Sequence, residues 1–161
     1  MRRIALYLFL IPITLCGVAE AMDWRHYQNA RFGTSAEVPD GFTLMPPPEN
    51  GDGQRFEAPD GGTISIYGAF DFTSGLSEYR AFSRQVLEEN GWRLTYTPSG
   101  DNWFVLSGIS NGQILYQRVE RPAGCAGDIL HHIEFRYPAE DEDIWKPIVT
   151  HGARSLDGPC N

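Results

Sequence analysis

The sequence predicts an α+β fold, one mostly antiparallel sheet flanked by helices, and three observations carry that prediction. Several short runs alternate apolar and polar residues with a period of two, as half-buried strands do. Two stretches, one after Thr73 and one after Pro138, change to helical spacing. Between these stretches, consecutive strands are joined by "SGD" and "ISNG", links so short that the strands they connect must be antiparallel.

The opening segment, "MRRIALYLFLIPITLCGVAEA", stands outside that fold. Two arginines, an apolar run from Ile4 to Leu15, and small residues at Ala19 and Ala21 read as a secretory signal covering residues 1–21. The run contains Pro12 and is about a dozen residues long, well short of the roughly 20 that span a membrane. Cys16 lies in a context resembling a lipoprotein acylation site, but Leu15 stands where such sites carry a small residue. Residues 22–161 are therefore expected as one mature domain, periplasmic or secreted, long enough for a core of its own.

Loss of Arg2, Arg3 and Glu20 with the signal turns 13 basic and 21 acidic residues into 11 and 20, a formal balance of −9. The basic residues are scattered among more numerous acids, so no nucleic-acid footprint is expected and anionic lipid is repelled.

The first strand falls in "RFGTSAEVP", where Phe32, Thr34, Ala36 and Val38 share a side before Pro39 ends the run. "DGFTLMPPPENGDG", with Pro46, Pro47 and Pro48, reads as an extended loop and not as a ladder strand. Its acids, Glu49 and Asp52, lack the alternating oxygen ligands of a calcium loop. A hairpin follows, turning at Asp60-Gly61 into a strand that carries Ile64 and Ile66. In "GLSEYRAFSRQVLEENGW", Leu76, Tyr79, Phe82, Val86 and Leu87 make a helical stripe, with Ser77 or a neighbour as cap and Asn90-Gly91 as the stop. Tyr79 and Phe82 are the expected core contacts of this helix.

Three strands then follow, "WRLTYTP", "NWFVLSG" and "QILYQRVE". Trp103, Val105 and Ile109 lie on one side of the middle strand and Phe104 and Leu106 on the other, which makes it central, with both faces at least partly covered. The fourth strand alternates Ile129, His131, Ile133, Phe135 and Tyr137 against Asp128, Leu130, His132, Glu134 and Arg136. The terminal stripe of Ile144, Trp145, Ile148, Val149, Gly152 and Leu156 is a second helix, kinked at Pro147 or restarted there. The acids at positions 140–143 suit its amino-terminal end.

With the signal removed, Cys125 and Cys160 are the remaining thiols, and in an oxidising compartment they are expected to form a disulfide. His131 and His132 point to opposite sides of their strand and so cannot readily share a metal ion. His131 is expected buried or half-buried and hydrogen-bonded, and His132, on the mixed side, exposed. No metal and no cofactor are expected.

The one catalytic string is "GISNG", in which Gly108, Ser110 and Gly112 match the G-x-S-x-G of a hydrolase nucleophile elbow. An elbow needs a helix directly after the serine, and here Asn111-Gly112, a preferred two-residue hairpin turn, leads into another strand. A serine hydrolase using Ser110 with His131 and Asp128 is accordingly the weaker alternative.

"HYQNARFGTSAEVPDGF" resembles the opening of the PsbP-like and Mog1-like proteins, with the match falling on Tyr27, Asn29, Phe32, Gly33, Pro39 and Gly41. The order of elements that follows is compatible with that fold, and the resemblance implies a single-domain α/β/α sandwich. The chain is also similar to small exported bacterial proteins of unknown role that share the "PPPENGDG", "GW" and "NWFVLSG" segments. The wider family implies accessory proteins, one type docking on a photosystem and another on a small GTPase, and neither partner carries over to an exported chain. The expectation is a non-enzymatic accessory or binding domain whose partner is a protein or cell-envelope component. A small-molecule carrier is the alternative, marked by an apolar pocket with one or two unsatisfied polar groups. An exposed aromatic patch would mark the binder.

Overall fold

The computed structural model describes residues 22–125 and 127–160, so residues 1–21, expected as a secretory signal, and Cys16 among them lie outside the described residues. The strands are β1 (Trp24–Gln28), β2 (Ser35–Pro39), β3 (Thr43–Leu44), β4 (Gly53–Glu57), β5 (Thr63–Phe70), β6 (Arg93–Tyr96), β7 (Trp103–Ser110), β8 (Gln113–Glu120) and β9 (Ile129–Pro138). Helix α1 (Leu76–Glu89) sits between β5 and β6, and α2 (Glu142–Arg154) follows β9 after a short 3-10 turn.

Seven strands form one sheet in the order β3-β4-β5-β9-β8-β7-β6, and every pairing is antiparallel. The sequence places all strands in this sheet, but β1 and β2 pair separately as a hairpin. Burial explains the difference, because Ala36 and Val38 of β2 pack into the core on the sheet's face instead of extending its edge. The loop expected at "DGFTLMPPP" also contains β3, two residues paired to Phe56 and Glu57 before the prolines remove further donors.

The strand pleat separates two cores. On the first face Phe56, Ile64, Ile66, Ile133, Phe135 and Tyr137 meet the β1–β2 hairpin and Trp145, Ile148, Val149 and Ala153 of α2. On the second, Phe104, Leu106, Leu115, Val119 and Leu130 lie under Tyr79 and Leu87 of α1. The result is an α/β/α sandwich.

Helix α1 starts at Gly75, with no side-chain cap, and Ser77 lies inside its first turn. It stops as expected: Asn90 and Gly91 donate to Val86 and Glu88 carbonyls, and Gly91 takes a φ of 83° that a side chain resists. Its stripe is narrower than the sequence suggests. Tyr79 and Leu87 are buried, whereas Phe82 and Val86 are exposed, because one helix on a sheet buries only the residues beneath its axis. In α2, Pro147 lies within the helix, where it removes the donor to the exposed Asp143 carbonyl at little cost.

Cys125 and Cys160 are bridged, with Cα atoms 5.2 Å apart. The bridge straps the last residues over the hairpin. Ser35 and Asp157 exchange backbone bonds of 2.8 and 2.9 Å, and Gly33, at a φ of 67°, lies against Pro159. Asn29 closes the hairpin loop from within, accepting from the Arg31 and Phe32 amides and donating to the Gly51 carbonyl at 2.9 Å.

Candidate functional site

Helix α2 and the β1–β2 hairpin cover the first face of the sheet above β4, β5 and β9. Over β8, β7 and β6 the same face lacks a helix. What remains is a trough of about 1030 Å³, floored by the strands and walled on one side by α2. The register sets out its floor in rows: Arg93 beside Ile109, Ile114 and Tyr137, then Tyr96 beside Ser107 and Tyr116, then Val105 beside Arg118. Trp103, Ile109, Ile114 and Tyr116 are half-buried and Tyr96 is 56% exposed, so the floor is largely apolar and aromatic and is open to water.

Charges stand along the rim. Arg118 is fixed: its guanidinium donates twice to Glu120 at 2.9 and 3.0 Å and lies over the Trp103 ring, 4.8 Å from its centroid. Arg93 on β6 and Lys146 and Arg154 on α2 form no ion pair among the described residues. Glu142 and Asp143 mark the corner where α2 begins. Ser107 in the floor is spent, its hydroxyl donating to the Leu115 carbonyl at 2.8 Å.

The second face has its own uncovered corner, above β4 and β5, where the proline loop closes a cavity of about 580 Å³ lined by Pro46, Pro48, Arg55, Tyr67, Glu134 and Arg136. Behind Tyr67 lies a buried polar chain. The Gln117 amide donates to the Tyr67 hydroxyl at 3.2 Å, Tyr67 stacks on His132 at 4.5 Å, and the Tyr79 hydroxyl meets His132 Nε2 at 3.1 Å. Gln117 Oε1 has no partner. His132, expected exposed, is buried to 1%, because α1 lays Tyr79 over the start of β9 and Tyr67 closes the other side. Burial pushes its pKa down to about 3, and its Nδ1 donates to the Leu130 carbonyl. Burial likewise pushes the Tyr67 hydroxyl well above its ordinary range. Burial thus favours the neutral forms of both His132 and Tyr67.

The residues of the hydrolase alternative are not brought together. Ser110 ends β7 and faces Gln113 across a two-residue turn, with Asn111 and Gly112 at φ 48° and 74°. His131 pairs with Glu120 at the far end of β8, seven residues away, or about 23 Å along the strand. His131 is itself buried, as expected. Its Nε2 donates to the Pro159 carbonyl at 2.9 Å, leaving Nδ1 to accept the Thr34 hydroxyl at 2.7 Å. Asp128 is exposed ahead of β9. Among the described residues no group of three or more His, Cys, Asp or Glu side chains could hold a metal ion, and no helix is long and apolar enough to cross a membrane.

The sequence reading missed the trough. Its cations stand at positions 93, 146 and 154, on elements that only the fold brings together. The available signal was Trp103, Val105 and Ile109 on one side of β7 facing Ile114 and Tyr116 of β8, an apolar surface larger than α2 alone can cover.

No family model matches the chain, and no curated protein matches it. Solved structures do. Cyanobacterial PsbP (CyanoP) from Synechocystis sp. PCC 6803 superposes with a TM-score of 0.63 at 13% identity, over 92% of this chain and 99% of that one. The Saccharomyces cerevisiae Ran-binding protein Mog1p gives 0.60 at 13% identity over 86% and 96%. A point mutant of Mog1 gives 0.60 at 14% over 85% and 96%. The chain therefore has the fold of PsbP and Mog1 over nearly its whole described length.

Proposed function

We propose that this chain is a non-enzymatic accessory domain, periplasmic or secreted, that docks on a protein through the trough beside α2. The observation that carries this reading is the half-covered first face. Three strands of apolar and aromatic floor lie open, about 10 Å between the outer strand axes, which is the width of one helix. Three unpaired cations rim that floor in a chain of net charge −8. Such a surface fits a helical protein segment that carries apolar side chains flanked by carboxylates. The trough is open along its length, and the buried polar atoms that lack partners, Arg25 Nε, Gln117 Oε1 and Arg121 Nε, belong to none of its lining residues, which favours a protein partner over a small molecule. That one fold neighbour is named a Ran-binding protein lends support to binding as the use of this architecture.

The test is parallel native recovery of partners from the envelope fraction by the wild type and by Tyr96→Ser/Lys146→Glu. Both residues are exposed, so the variant keeps its fold. Partners held by the wild type and lost by the variant are the expected result. Partners retained equally by both would overturn the trough as the docking surface.

A further inference from the structure

The sheet that carries the trough on one face carries a ridge on the other. Along the outer side of α1, Glu78, Phe82, Val86 and Glu89 follow one another at helical spacings of four, four and three, and all four are exposed. Phe72, 66% exposed, packs edge-on against Phe82 with ring centroids 4.9 Å apart and widens the apolar part. Three large apolar side chains held together in water, with a carboxylate at each end, make a surface that needs covering.

The ridge matches the trough in character and size. From Glu78 to Glu89 the helix rises about 16 Å. In the trough, Lys146 and Arg154 lie about 12 Å apart along α2. On the strand side Arg93, level with Ile109, is the cation left unpaired, since Arg118, level with Val105, is held by Glu120. Cations therefore flank the apolar floor over nearly the span at which carboxylates flank the apolar ridge. Glu142 and Asp143 make one corner of the trough unfavourable to a carboxylate, which directs the ridge toward the Lys146–Arg154 side. Because α1 packs on the back of the strands that floor the trough, ridge and trough of one molecule face opposite ways and cannot meet within a chain. They meet when one copy is stacked on another along the sheet normal.

We infer that the occupant of the trough is the α1 ridge of a second copy of this chain, giving head-to-tail assembly; the inference rests on the trough being a docking surface. The contact is heterologous, so every assembly keeps one free ridge at one end and one free trough at the other, and growth continues with concentration. A single helix in a groove is a small interface and makes a weak, reversible contact.

Sedimentation velocity on the oxidised chain from residue 22 tests this. The wild type is expected to show a weight-average sedimentation coefficient that rises with concentration across the micromolar range. The ridge variant Phe82→Ser/Val86→Ser and the trough variant Arg93→Glu/Lys146→Glu change only exposed residues, and each alone should sediment as a monomer. Their equimolar mixture should form a 1:1 dimer and nothing larger, since each supplies one intact surface. A monomeric wild type, variants that associate as the wild type does, or a mixture that stays monomeric would overturn the inference. A designed alanine-rich helical peptide presenting Glu, Phe, Val and Glu at the ridge spacing separates the two levels. If the chain is monomeric but binds this peptide, and the trough variant does not, the second copy is the wrong occupant and the docking reading stands. If neither association nor peptide binding occurs, both fall.

Discussion

Two halves of one sheet face are built from the same alternation and meet different fates. Over β5 and β9 the first face is sealed: Ile64, Ile66, Ile133 and Phe135 are fully buried under α2 and the hairpin. Over β7 and β8 the same face presents Trp103, Ile109, Ile114 and Tyr116, equally apolar and only half-buried. Strand periodicity decides the side to which a residue points and is silent on what lies above it. The sealed half serves folding, and the open half, in the function proposed above, keeps apolar surface for a partner. Substitutions of like residues in the two halves should therefore separate stability from binding.

The largest contrast is between two tryptophans of that face. Trp145 of α2 is fully buried, stacks on Tyr137 at 4.9 Å and donates to Asp60 at 2.7 Å. Trp145→Ala should cost about 3–5 kcal/mol in denaturant unfolding. Trp103→Ala in the trough should cost less, about 1–2 kcal/mol, because that ring is only partly buried. Equal costs would mean that the two halves are not distinct.

Next comes the strap that holds the hairpin of the sealed half. Cys125→Ser/Cys160→Ser opens a loop of 35 residues and should lower stability by roughly 3–4 kcal/mol on the loop-entropy account, read as a fall in the denaturant midpoint. The open half has no such staple and relies on its β7–β8 turn. Gly112→Val, at φ 74°, should cost about 1–3 kcal/mol, whereas Ser110→Ala should cost about half a kcal/mol or less and leave the fold intact. An active-serine probe that labels the wild type and not Ser110→Ala would favour the hydrolase instead.

A further effect concerns acid. His132 titrates near 6.5 when unfolded and at about 3 when folded, so between these values the unfolded chain binds the extra proton. Stability from this group is complete above about pH 6.5 and is lost as pH falls toward 3, by roughly 1–2 kcal/mol between pH 7 and pH 5. His132→Gln, which removes the titrating ring, should flatten that limb of the stability profile while lowering its plateau.

Much of this architecture was legible in the residues. Period-two runs mark β5 and β7 to β9, Asn111-Gly112 marks their turn, and Cys125 and Cys160, the two thiols beyond residue 21, mark the bridge. The failures share one physical cause, which is that local pattern does not report coverage. On the mixed side of β9 His132 reads as exposed, but α1 crosses the beginning of the strand, burying Leu130 and His132 and leaving Arg136 in water. Phe82 fits the helical stripe and yet lies beyond the contact line. β1 was hidden by its mixed composition, "WRHYQ", and β3 by its two-residue length. The trough depends on where α2 ends up across the sheet, which no spacing along the chain encodes.

The most direct measurement of the central claim is amide chemical-shift mapping of the isotopically labelled chain during titration with the designed Glu-Phe-Val-Glu helical peptide. The account predicts saturable shifts confined to β6, the first-face residues of β7 and β8, and the flank of α2 from Lys146 to Arg154, with Tyr67, Pro46 neighbours and the sealed half unmoved. Shifts centred on the proline-loop cavity, or no shifts at all, would contradict it.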